Sequence, residues 1–112
     1  MANPTQTLWG TINADGSIAS GSGGFNVILT QPGQYVISFQ HLFTGLPSIV
    51  GSQTRFGSLG ESSTDGVVFP QLNNASTVAI TGDGGGNHQN RNFSFIAIGF
   101  QGEPNKEFKQ AK

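Results

Sequence analysis

The sequence predicts an all-β protein, a small antiparallel β-sandwich, on three observations. Apolar residues alternate with polar ones over short runs, glycine and proline are abundant, and the breaks between runs carry turn chemistry. Seventeen glycines and five prolines in 112 residues work against helix, since both weaken helix interiors. The length is that of one domain. A domain of this size buries roughly two-thirds of its unfolded surface, so the core is expected to be thin and association between copies would support it.

The strands follow in order. Residues 8–13 and 17–20 read as the first two, separated by Asn13-Ala14-Asp15-Gly16, a tight turn with Gly16 at positive φ. In residues 24–30, Phe25, Val27 and Leu29 share one face; in residues 34–39, Tyr35, Ile37 and Phe39 do the same. Between these runs stands Gln31-Pro32-Gly33-Gln34. Proline fixes φ there and glycine supplies the left-handed position, so the two strands should pair antiparallel. Further strands are expected over 47–54, 67–72 and 77–81, the last two joined by a turn at Asn73-Asn74-Ala75-Ser76. Residues 57–66 and 82–90 are longer loops rich in glycine and small polar residues.

The final strand, residues 92–100, is apolar on both sides. Phe93, Phe95 and Ala97 lie on one side, and Ile96, Ile98 and Phe100 on the other. Such a strand wants both faces buried. One face can meet the core, and a second copy of the chain is the simplest cover for the other. The alternative is cover by the chain's own loops. The β-sandwich domain is expected to span residues 1–102. Residues 103–112 hold all three lysines and read as a frayed polar tail opened by Pro104.

Charged residues are 10% of the chain and the net charge is −1, against roughly 25% charged in ordinary soluble domains. The surface must then be built of Ser, Thr, Asn and Gln, which suits contact with hydroxyl-rich ligands. Only Arg55 and Arg91 are basic within the body, so the basic stripe that nucleic acid requires is missing. Cysteine is absent, which excludes disulfides and thiolate metal sites. No apolar run approaches the roughly 20 residues of a membrane span. Met1-Ala2-Asn3-Pro4 has neither the basic nor the apolar region of a signal peptide.

One order of residues has a family likeness: Gly33-Gln34-Tyr35-Val36-Ile37-Ser38-Phe39, then Leu42-Phe43 and Leu46-Pro47-Ser48-Ile49-Val50, then Val78-Ala79-Ile80, and finally Phe93-Ser94-Phe95-Ile96-Ala97-Ile98-Gly99. It resembles the H-type lectin domain and the receptor-binding tips of phage tail fibres. The earlier segments Asp15-Gly16-Ser17-Ile18 and Gly21-Ser22-Gly23-Gly24-Phe25-Asn26-Val27 resemble the opening strands of C1q-like domains. The resemblance implies a homotrimer that recognises a glycan or other cell-surface receptor, outside the cell or on the surface of a particle. The lectin sugar site carries an aromatic residue beside a histidine before the last strand. Here that region holds His88 without an adjacent aromatic residue.

The candidate ligand-binding residues are Asp83, Asn87, His88, Asn90 and Arg91, with Arg55 from the other long loop. Together with Gln89 they gather a carboxylate, amides, an imidazole and a guanidinium beside a run of glycines, which is the donor and acceptor set that sugar hydroxyls need. Arg55 is expected to pair with Glu61 or Asp65 and fix its loop. His41 is expected to be structural. The glycines are not a phosphate loop, because no Gly-Lys-Ser/Thr follows, and one carboxylate in residues 82–91 is too few for calcium. No cofactor or metal is expected. Enzyme readings lack a pair of carboxylates across a cleft and a nucleophile-elbow motif. Trp9 is expected to anchor the edge of the core. The sequence therefore points to a non-enzymatic attachment domain, with a purely structural trimerising cap as the alternative.

Overall fold

Wherever apolar and polar residues alternate, the chain is extended. The computed structural model describes residues 4–55, 57, 59 and 63–108, and within them it contains eight strands and no helix. They are β1 (Thr5–Ile12), β2 (Ile18–Gly21), β3 (Phe25–Gln31), β4 (Gln34–Phe39), β5 (His41–Gln53), β6 (Val67–Leu72), β7 (Ser76–Thr81) and β8 (Phe93–Pro104). They form two antiparallel four-stranded sheets, ordered β2-β1-β8-β5 and β3-β4-β7-β6. The fold is an antiparallel β-sandwich.

The turn chemistry works as the sequence indicates. Gly16 and Gly33 hold φ of +93° and +72°, and β3 and β4 pair across Gln31↔Gln34. Three elements run well past the bounds the alternation predicts: β1, which begins at Thr5 rather than 8, β5 and β8. β5 begins at His41 rather than 47, because the strand continues through an irregular register around Gly45, whose φ is +78°. β8 runs past residue 102 to Pro104, which pairs with His41. Asn105 then closes the end of the sandwich: its backbone amide donates to the Gln40 carbonyl and its side-chain amide to the Phe39 carbonyl. Residues 109–112 lie outside the described residues.

The core is aromatic. Tyr35, Phe39, Phe43, Phe93 and Phe95 are buried between the sheets with Ile12, Ile37, Ala79 and Ala97. Rings meet edge-on or tilted, Phe25 against Phe95, Tyr35 against Phe93 and Phe39 against Phe43. Each such pair adds about 1 kcal/mol beyond its area, on top of about 2 kcal/mol for burying each phenylalanine. Gly10 makes this packing possible. A Cβ there would stand 2.6 Å from the Phe25 ring and 2.9 Å from the Phe95 ring. Its neighbour Trp9 consequently points the other way. It does not anchor the edge of the core, the place a lone tryptophan in this sequence suggests, but lies on the outer face of its sheet.

β8 separates its two faces in the same manner. Phe93, Phe95 and Ala97 are buried, while Ile96, Ile98 and Phe100 are each about half exposed. No described loop of the chain covers them.

Candidate functional site

The strand connections at one end of the sandwich converge. The turn after β1, the β3–β4 turn, the segment after β5 and the β7–β8 loop are tied together by side chains with few alternatives. Tyr35 carries its ring into the core and its hydroxyl to this end. The hydroxyl donates to the Ala14 carbonyl at 2.7 Å and accepts from the Arg91 amide at 3.2 Å. Burial pushes the phenol's pKa above its ordinary value, only partly offset by the bond from Arg91. Asn92 Oδ1 accepts from the Ala14 amide at 2.8 Å, and Asn90 Oδ1 from the Gly33 amide at 2.7 Å.

Beneath the loops lies an ion pair. Arg91 donates to Asp65 Oδ2 at 3.0 Å, with the Asp65 side chain only 3% exposed. The same guanidinium reaches Gln53 Oε1 at 3.3 Å and Gln89 Oε1 at 2.8 Å. Gln53 in turn donates to the carbonyls of Gly66 and Gly82. Asp65 therefore pairs with Arg91 and not with Arg55. Arg55 instead donates to Asn13 Oδ1 and weakly to the Ile12 carbonyl, from a left-handed backbone with φ 59°. Glu61, the other expected partner, lies outside the described residues.

The β7–β8 loop is organised by Asp83. Its Oδ1 accepts from the amides of Gly85 and Asn87, both at 2.9 Å, and its Oδ2 from the side chains of Asn87 and Gln89. These bonds favour the ionised form. The side chain of Asn87 leads, its amide follows, and Arg91 contributes at longer range, so the carboxyl sits below the usual carboxylate range. A carboxylate has about four acceptor positions, and the loop fills them. Thr81 closes the base of the loop by donating to the Gln89 carbonyl at 2.6 Å.

Between this loop and residues 64–68 is a shallow groove of about 230 Å³. Its floor is Val68 and Ile80, cross-strand neighbours on the outer face of the β3-β4-β7-β6 sheet. Thr64, Asp83 and His88 contribute to its rim. Comparisons with family models, curated proteins and solved structures returned no match. The geometry of the site therefore carries the functional argument.

Of the six residues singled out from the sequence, the structure brings Asp83 and His88 to this groove. Asn87 braces Asp83, Asn90 holds the β3–β4 turn, Arg91 sits over Asp65, and Arg55 binds the first turn. His88 is exposed, and among the described residues its ring has no hydrogen-bond partner. Thr64, Val68 and Ile80 also line the groove: Thr64 falls in the long loop 57–66 expected to take part in binding, and Val68 and Ile80 are strand residues that the sequence does not single out for the site. The alternation of residues 77–81 sets Val78 and Ile80 against the threonines and predicts the threonines on the wet face, but the structure inverts it: Thr77 and Thr81 are buried with Ala79, their hydroxyls donating to the Gln71 and Gln89 carbonyls, and Ile80 faces outward opposite Val68. Among the described residues no cluster of histidine, cysteine or carboxylate side chains is able to hold a metal.

Proposed function

We propose that the chain is a non-enzymatic attachment domain, a homotrimer that binds a surface glycan or receptor and acts outside the cell or on a particle surface. The observation that carries this reading is the groove between residues 64–68 and 80–88. It joins an apolar floor to a polar rim on a framework fixed by Tyr35, Gln53 and Arg91. A sugar ring has the matching character, one aliphatic face and an edge of hydroxyls. The groove is smaller than the roughly 300 Å³ at which sites for drug-sized ligands begin, so it fits one ring-sized group. His88 supplies an imidazole that can donate or accept there, and the scarcity of charge on the chain suits a neutral ligand.

A second reading, a structural trimerising cap without a ligand, is favoured by a different observation. The polar side chains of Asp83, Asn87, Asn90 and Arg91 all have partners within the framework. An array of glycans and bacterial polysaccharides separates the two. The attachment reading expects saturable binding of the intact chain to a small set of related sugars. Silence across the array from a folded protein would leave the cap.

A further inference from the structure

The outer face of the β2-β1-β8-β5 sheet is an apolar surface that no described residue covers. Ile96, Ile98 and Phe100 are 50%, 46% and 54% exposed along β8. Register sets Trp9 of β1 and Val50 of β5 on either side of Ile96, and these are 42% and 65% exposed. Thr7 and Ser48 flank Ile98, and Thr5 and Thr44 flank Phe100. These rows carry no charged side chain.

We infer that this face is the surface through which copies of the chain pack against one another. The inference rests on the oligomer in the proposed function and not on its ligand. Area is the first argument. Five large side chains exposed by about half present roughly 450 Å² of apolar surface, within the roughly 300–600 Å² of a monomer's largest and often functional patch. Thr5, Thr7, Thr44 and Ser48 are exposed beside them and extend the face toward the roughly 800 Å² that one partner contributes to a standard stable interface.

Neutrality is the second argument. Identical copies would set any charge on this face near its own equivalent, and here there is none to repel. A lipid surface would want lysine or arginine at the rim, and these rows supply neither. Shape is the third. Beside Ile96, on the β5 side, a groove of about 270 Å³ runs between Val50, Ser52 and Ser94. On the β1 side stands the Trp9 indole, so one copy's indole can fill its neighbour's groove. The outer face of the other sheet also carries apolar residues, Ile28 and Val68 exposed and Val36, Val78 and Ile80 partly so, but none is aromatic, and aromatic residues are enriched where interfaces are buried.

Sedimentation velocity of the full chain tests this, with circular dichroism to confirm folding. The wild type is expected to sediment at a multiple of the single-chain mass at micromolar concentration. Ile98→Lys is expected to sediment as one chain, and Ile28→Lys on the opposite sheet as the wild type. Should Ile98→Lys lose its fold, Val50→Lys on the edge strand gives the same reading with less effect on packing. Trp9 is the only tryptophan, so its emission should shift to longer wavelength when the assembly is dispersed. A wild type that stays a single chain overturns the inference, as does an Ile98→Lys (or, in its place, Val50→Lys) protein that associates undiminished. Dispersal by Ile28→Lys alone moves the interface to the other sheet and overturns it too. A dimer dispersed by Ile98→Lys upholds the face and corrects only the trimer.

Discussion

Arg91 shows how a residue chosen for binding becomes part of the frame. Its guanidinium covers Asp65, a carboxylate 3% exposed, whose Oδ1 is buried without a hydrogen-bond partner among the described residues. Removing one member of a buried pair leaves an uncompensated charge. Arg91→Ala is therefore expected to destabilise the fold by about 3 kcal/mol, measured by urea unfolding. A change near zero would mean that Asp65 finds other partners. Asp83 gives a prediction with a sign. Its carboxyl is held below the usual range by Asn87 and the neighbouring amides. The stabilising contribution is then complete above the ordinary carboxylate pKa and is lost as pH falls through the depressed value. The amide resonances of Gly85 and Asn87 should follow that titration. A midpoint at or above the ordinary carboxylate value would contradict the hydrogen-bonded loop.

Among the strands and turns, the sequence was most informative where alternation is regular. Gln34–Phe39 lies where Tyr35, Ile37 and Phe39 indicate, and Val67–Leu72 has the predicted bounds. It was least informative where glycine replaces an inward side chain. Leu8, Gly10 and Ile12 face the core, but Gly10 leaves no apolar mark, so the outward direction of Trp9 was hidden. The site divides similarly. The β7–β8 loop was legible as a polar cluster, but the partner of Asp65 was not. Arg55 is near it in sequence, whereas Arg91 reaches it only when the two sheets close. Gly33 ties turn to loop: a Cβ there would stand 2.6 Å from the Thr81 carbonyl oxygen and 2.8 Å from the Gln89 nitrogen. At φ +72° an L side chain is strained as well. Gly33→Ala should cost more than about 1 kcal/mol in thermal or urea unfolding. An unchanged midpoint would show that the β7–β8 loop can move aside.

At the scale of the molecule, the two sheets share one core and divide the surface between them. The outer face of β2-β1-β8-β5 offers the apolar area for association. The groove over β6 and β7 lies on the opposite side, so packing through the first face leaves the second open. That separation also lets the ligand site and the assembly face be tested separately. Ile98→Lys should disperse the copies and leave the affinity of each groove unchanged, while reducing avidity for a surface that displays many ligands.

The most direct test of the ligand site is the glycan and polysaccharide array read with His88→Ala beside the wild type. His88 lines the groove, is exposed, and braces nothing among the described residues, so its removal should leave stability unchanged. Saturable binding is expected of the wild type, with a loss of at least about tenfold in affinity for His88→Ala, the size expected of about 1.4 kcal/mol from one hydrogen bond. Equal binding by the two proteins would place the ligand elsewhere and contradict the groove as the site.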